Sequence, residues 1–269
     1  MNDSFLMCRP DYYGIDYEIN PWMDRGDQPD KERAHLQWDS LRNILKEELK
    51  CDIKLVRPVA GLPDMVFTAN AGYVEGKRFI PSRFRFAERR GEEPHFRKWF
   101  EGEGYEIRDL PRSGSFFEGF GDILPLGDTL FAGYRYRSDI ASHSAIGDIL
   151  GRRVISLELV NPSFYHLDTC FCPLPSGDLL YYPAAFDDYG LNVIREMAGE
   201  DRLIEVNGEE AQRFACNAVA FEKSIVISSG SPRLEKKLAE RGYTVFDTDL
   251  SEFIKSGGSA KCLTLRLGS

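Results

Sequence analysis

The most constraining feature of this chain is a recurrence. Five helix-like stretches, 30–50, 92–102, 138–150, 189–198 and 232–241, stand at similar intervals along its 269 residues. In the first, Ala34, Trp38, Leu41, Leu45 and Leu49 follow one another at four, three, four and four residues, which places an apolar stripe on one helical face. Each stretch is followed by a short turn and a segment rich in β-branched and aromatic residues: CDIKLV, GYEIRDL, RRVISLEL, DRLIEV and GYTVFDT. Such composition suits a half-buried strand. Between each of these strands and the next helix there is room for a hairpin. The unit is therefore strand, strand, helix, strand, at a period of roughly 45–50 residues. Five units of this α/β type can close into a ring around a channel. Asn70, Glu118, His166, Asn217 and Cys262 each fall about 8–15 residues after the strand that follows a helix, and equivalent positions in a ring converge on its axis.

Composition excludes several classes. With 42% hydrophobic residues the chain can bury a solid core. No Pro/Gly/Ser-rich linker divides it, so residues 1–269 are expected to form one domain. The start, MNDSFLMCRPDYYG, lacks a basic segment leading into a long apolar run, and no apolar run approaches the ~20 residues a membrane crossing needs. Forty-three acidic against 34 basic residues, net −9, argue against nucleic acid as a partner; a cationic small molecule is compatible. The cysteines at 8, 51, 170, 172, 216 and 262 are too sparse for a secreted disulfide scaffold. They form no zinc-type ligand set with the histidines. Free thiols in a reducing cytoplasm, with no metal and no cofactor, is the economical expectation. The oligomeric state is open, a homo-oligomer included.

The groups capable of chemistry are few. His35, His95 and His143 sit in helical stretches, where a solvated or capping imidazole is the default, whereas His166 lies in the strand-like FYHLDTCF with Asp168 two residues on, on the same strand face. Cys262 follows KSGGSAK and opens the segment CLTLRL. The paired glycines allow close backbone approach, and a nearby lysine favours a thiolate; a buried thiol at the head of a strand is the plainer reading. Glu118 and Asp122, in SFFEGFGDIL, are framed by glycines and aromatics, and a buried carboxylate there requires a partner. Asp64 and Asn70, in GLPDMVFTANAG, also suit simple turns.

Together, FTANAG, FEGFGD, FYHLDT and the terminal GGSAKC resemble the guanidino-group-modifying (pentein) superfamily, over essentially the whole chain from INPWMD onward. That superfamily includes arginine deiminase, dimethylarginine dimethylaminohydrolase, the amidinotransferases and the arginine and succinylarginine dihydrolases. The resemblance implies a five-module αβ-propeller of ββαβ units. It makes Cys262 the nucleophile, His166 the general acid/base and Glu118 the carboxylate that grips the guanidinium. Asp168 follows the HLD pattern of enzymes that act on unmethylated arginine. Asn70 stands where deiminases carry Asp and dihydrolases carry Asn. Arg89 and Arg137 match arginines that hold the substrate carboxylate, with Arg90 and Arg135 as neighbouring alternatives, and Asn20 matches a contact to the α-amino end. The implied reaction is hydrolysis of free L-arginine to ornithine, two ammonia and carbon dioxide through a covalent adduct on Cys262. The alternatives are deimination to citrulline, dimethylarginine hydrolysis, and a non-catalytic binding module like the ribosome anti-association factor that shares this fold.

Overall fold

A computed structural model describes residues 3–111 and 115–268. Its elements in chain order begin with strand β1 (Ser4–Cys8), helix α1 (Lys31–Asn43) and strand β2 (Asp52–Val56). Four repeats of one motif follow. They are β3 (Gly72–Glu75), β4 (Arg78–Pro81), α2 (Glu93–Gly102), β5 (Glu106–Ile107); then β6 (Ile123–Leu126), β7 (Thr129–Tyr134), α3 (Ile140–Leu150), β8 (Arg153–Glu158). Next come β9 (Phe171–Pro173), β10 (Leu179–Tyr181), α4 (Asp188–Ala198) and β11 (Leu203–Glu205). After a short helix α5 (Gly208–Gln212) stand β12 (Val219–Phe221), β13 (Ser224–Ser228), α6 (Pro232–Glu240) and β14 (Thr244–Thr248). A last short helix, α7 (Ser251–Ile254), precedes β15 (Leu265–Arg266).

The strands form five three-stranded sheets. In each repeat the first two strands make an antiparallel hairpin, and the third returns parallel to the second after the helix. A parallel return requires such a crossover, and a helix supplies it. The fifth sheet has the same order but is assembled from both ends of the chain: β15 pairs antiparallel with β1, which pairs parallel with β2. Leu267 N–H donates to the Ser4 carbonyl at 2.8 Å and closes the ring. The expected five-module αβ-propeller is the observed fold.

The helices lie where their caps and stripes put them. Asp30 caps α1 by accepting from Arg33 N–H, and proline stands in the first turn of α2 and α6, where a missing N–H costs nothing. Ala34, Trp38, Leu41, Leu45 and Leu49 are all buried. The stripe does not stay α-helical, however: beyond Asn43 the backbone loosens into a π-helical turn over Ile44–Glu48, which keeps Leu45 and Leu49 inward. The segment expected to be strand at 262–267 shrinks to Leu265–Arg266. Residues 259–264 instead form a turn, with Leu263 N–H on the Ser259 carbonyl and Thr264 N–H on that of Lys261. Likewise FYHLDTCF is not one strand. Leu167–Thr169 coil into a 3-10 turn ahead of β9, because Asp122 Oδ1 captures Leu167 N–H and Thr169 Oγ1 donates back to the His166 carbonyl. His166 and Asp168 therefore meet in the site through a turn and not by strand alternation. His143 is neither solvated nor a cap: it is buried, Nδ1 lies 2.8 Å from Ser156 Oγ, and burial pushes its pKa down to about 4.

Candidate active site

Each inner strand (β3, β6, β9, β12 and β15) is entered through a turn, and the five turns carry Asn70, Glu118, His166 with Asp168, Asn217 and Cys262. These residues come from five different modules, so only ring closure brings them together. The glycines of FEGFGD make the packing possible. Gly119 has φ +62° and backbone atoms of Gly72 and Ala69 within 2.8 Å of where a Cβ would stand; any other residue there would be strained and would displace the Asn70 turn.

The thiol and its neighbours are almost sealed from solvent. Cys262 is 3% exposed, His166 and Asp168 1%, and Glu118 and Asn217 0%. Cys262 Sγ lies 3.1 Å from Asn217 Nδ2 and 3.5 Å from Asp168 Oδ2. Burial, and then the Asp168 charge, push the Cys262 thiol well above its ordinary range. Asp168 is itself pushed up to about 7 by burial, against the opposing charge of Lys261. The resting pair thus holds a proton between sulfur and carboxylate. Asp168 Oδ1 has no hydrogen-bond partner among the described residues.

On the other side of the site, His166 Nε2 lies 2.8 Å from Glu118 Oε2, which also accepts from Arg137 Nη1 at 3.0 Å. Glu118 Oε1 accepts Arg85 N–H. Burial alone would raise the Glu118 pKa, but Arg137 and the His166 bond overcome it and hold the carboxyl far below the usual range. Glu118 is therefore an anion that positions His166. With three donors already on about four acceptor sites, it has room for one more hydrogen. Asp122 ties both halves together: Oδ2 accepts from Ser138 N–H and Oγ, Oδ1 from Leu167 N–H, and Ser138 Oγ in turn accepts Glu118 N–H. Burial pushes Asp122 up to about 6.

The arginines divide cleanly. Arg90 and Arg135 turn outward, Arg135 onto Glu158. Arg89 and Arg137 are buried. Arg89 forks onto Glu92 at 2.8 and 2.9 Å and reaches Asn70 Oδ1 at 3.0 Å, while Arg137 donates to Glu118 and the Ile19 carbonyl between the rings of Phe86 and Tyr165. Asn70 Nδ2 points to the Glu118 carbonyl at 3.4 Å. Asn20 pins the INPWMD loop: it donates to the Ser256 carbonyl and accepts Trp22 N–H, and Trp22 Nε1 donates to the Ser163 carbonyl. Three residues take a place in the site for which the sequence had assigned no role. Asn217 touches the sulfur, and its only signal in the sequence is its place in the repeat. Asp122 shares the FEGFGD segment with Glu118. Asp64, read as a turn residue, is buried with Oδ1 unpartnered beside Arg89. Among the described residues, no three or more His, Cys, Asp or Glu side chains are grouped as metal ligands, and no helix is long and apolar enough to cross a membrane.

A ring of five ββαβ modules closed on a thiol, an imidazole and buried carboxylates is the architecture of the pentein, guanidino-group-modifying class. Within it, a family model described as N,N dimethylarginine dimethylhydrolase, eukaryotic, matches residues 14–268, and the chain belongs to that family. Among its relatives are two bifunctional arginine dihydrolase/ornithine cyclodeaminases. AgrE of Nostoc sp. is 47% identical over 266 residues, covering 98% of this chain and 37% of AgrE. ArgZ of Synechocystis sp. is 49% identical over 265 residues, covering 97% of this chain and 37% of ArgZ. The chain thus spans little more than a third of the length of either. It superposes on the solved N-terminal domain of ArgZ, an asparagine-to-serine variant covalently bound to a reaction intermediate, with a TM-score of 0.96 and 47% identity, covering 100% of this chain and 98% of that one.

Proposed function

We propose that this chain hydrolyses the guanidinium group of free L-arginine twice, to ornithine, two ammonia and carbon dioxide, through a covalent adduct on Cys262. The observation that carries this reading is the unpartnered Asp168 Oδ1 beside the Cys262 sulfur. A buried carboxylate oxygen without a donor is costly. A guanidinium satisfies it with N–H groups while bringing its central carbon next to the sulfur. The cation also offsets the electrostatic obstacle to a thiolate that the Asp168 charge presents. At the other end, Asp64 Oδ1 is a second unpartnered acid, suited to the α-ammonium group, while Arg89 and Arg137 supply positive charge for the α-carboxylate. Asn20 holds the loop over that end.

The thiolate adds to the guanidinium carbon, and the C–S bond forms as the carbon becomes tetrahedral. His166, held by Glu118, gives its proton to one nitrogen, and the C–N bond breaks to release ammonia. Water then adds to the thiouronium carbon, giving its proton to His166, and the C–S bond breaks. The product is a ureido group and the restored thiol. Repeating the sequence on the ureido carbon releases the second ammonia and leaves a carbamate on the side-chain nitrogen, whose C–N bond breaks as carbon dioxide departs and the nitrogen takes up a proton, giving ornithine. Asn70 distinguishes the two outcomes. A carboxylate at 70 favours the cation over the neutral urea, whereas an amide both donates and accepts and retains the urea. The cyanobacterial relatives named as arginine dihydrolases, and the variant of one that holds its intermediate covalently, support this reading.

The test is ammonia released per arginine consumed, with the amino-acid product identified, for wild type and Asn70→Asp. Two ammonia and ornithine from wild type, shifting to one ammonia and citrulline in the variant, are expected. Citrulline as the end product of both would reduce the reaction to a deimination.

A further inference from the structure

Among the described residues, the side chain that donates a hydrogen bond to the Cys262 sulfur is Asn217, at 3.1 Å. We propose that Asn217 is a catalytic residue, its Nδ2–H stabilising the sulfur anion while its Oδ1 holds the turn that presents it. The proposal rests on the reading of Cys262 as the nucleophile.

The orientation of the amide is fixed by its surroundings. Oδ1 accepts two backbone N–H groups, those of Ser259 and Cys262, each at 3.1 Å. Backbone N–H groups can only donate, so the oxygen must face them and the nitrogen must face the sulfur. The second Nδ2 hydrogen goes to the Asp168 carbonyl at 3.2 Å. The Asn217 carbonyl accepts Lys261 N–H at 3.1 Å. One residue thus binds three of the four residues of the Ser259–Cys262 turn, the Asp168 turn and the reacting atom, and all four hydrogen-bonding valences of its amide are used with no exposure to water.

The backbone that delivers it is strained. Phe214, three residues earlier, has φ +57° and accepts Asn217 N–H at its carbonyl, 2.9 Å away. Its ring is locked against Trp22 with centroids 4.8 Å apart. A bulky residue in the left-handed region is an outlier that the surroundings must enforce.

The chemistry requires such a donor. The sulfur sits in a nearly dry site beside a carboxylate, and both conditions oppose its negative charge. A hydrogen bond made to the charged form favours that form. A fixed dipole in a water-excluded site does so without reorganising during the reaction. The same N–H faces the sulfur when it becomes the leaving group in each hydrolysis.

Asn217→Asp discriminates this role from a packing role. Its Oδ1 can still accept the Ser259 and Cys262 N–H groups, but the donor to sulfur is replaced by an acceptor with negative charge. Alkylation of Cys262 by iodoacetamide, followed on its own peptide across pH, should move to higher pH in the variant. The kcat for arginine should fall on the order of 100-fold, with KM near that of wild type. An unchanged alkylation curve, or near-wild-type kcat in folded variant, overturns the proposal, as does a loss confined to thermal stability. If the variant does not fold, the wild-type protein still decides. The side-chain amide protons of Asn217, assigned by NMR through its backbone, should titrate on the Cys262 alkylation curve, and failure to do so is equally fatal. Cys262→Ser separates the two levels: turnover there would sink the nucleophile reading, whereas an inactive Cys262→Ser beside a fully active Asn217→Asp would sink only the role of Asn217.

Discussion

Asp168→Asn should make the protein more stable in the absence of arginine while destroying its activity, and the gain should depend on pH. In the folded chain burial pushes Asp168 up to about 7, from an ordinary 3.8. Between those values the folded state holds a proton that the unfolded chain has released. Stability from this group therefore falls as pH rises from about 4 to about 7, and the full penalty persists above 7. At about 1.36 kcal/mol per pH unit, the gap corresponds to a ceiling of roughly 4 kcal/mol. Asparagine keeps an oxygen to accept from the Cys262 thiol but leaves Lys261 without its anion, so about 2 kcal/mol is the expected net gain. For a chain of this size that raises Tm by about 4–8 °C. Thermal melts of wild type and variant from pH 4.5 to 8.5, in parallel with ammonia release from arginine, measure both consequences. The stabilisation should be present at pH 8.5 and absent at pH 4.5, where Asp168 already carries its proton. Arginine should raise the Tm of wild type and leave that of the variant unmoved. A variant less stable than wild type at pH 8.5, or equally stabilised at both pH values, would refute the view that Asp168 is held at a cost for a cationic ligand.

Cys262→Ser should abolish turnover with the fold intact, because a hydroxyl is far less ionised than a thiol. Cys170→Ser, at a buried thiol whose sulfur donates to the His166 and Leu167 carbonyls, should keep most activity; the reverse pattern would end the covalent mechanism. Free arginine should exceed asymmetric dimethylarginine in kcat/KM by roughly a hundredfold, since methyl groups remove the N–H donors that Asp168 Oδ1 lacks. Comparable values for the two substrates would move the assignment to dimethylarginine hydrolysis. Activity should also survive exhaustive chelation, and a loss restored by zinc or manganese would count against a purely thiol-based reaction.

The repeat was legible in the sequence because its causes are local. A 3.6-residue apolar stripe such as Ala34 to Leu49 and a β-branched run such as RRVISLEL each declare themselves within a dozen or so residues. Five copies at one period can then close into a ring, and the ring register singled out Asn70, Glu118, His166, Asn217 and Cys262. The chemical motifs FEGFGD and GGSAKC were legible through their likeness to known enzymes, because glycines that permit close approach tolerate little substitution.

Other features were decided only by contacts between modules. Strand propensity read FYHLDTCF and CLTLRL as continuous strands, but Asp122, held by Ser138 and Leu167, and Asn217, clasping Ser259 and Cys262, draw both into turns. The inner strand of the fifth sheet comes from the opposite end of the chain from its two partners, a pairing that no local pattern specifies. The sequence put Arg89 and Arg137 forward with Arg90 and Arg135 as neighbouring alternatives; burial separated them, by giving Arg89 to Glu92 and Arg137 to Glu118. The balance of charge in the site is likewise a tertiary property. Glu118 is an anion because Arg137 of its own module and His166 of the next surround it. Asp168 is pushed toward its neutral form because its burial outweighs the charge of Lys261. The same carboxylate chemistry serves opposite ends, and only the distances to neighbours brought from elsewhere in the ring determine which.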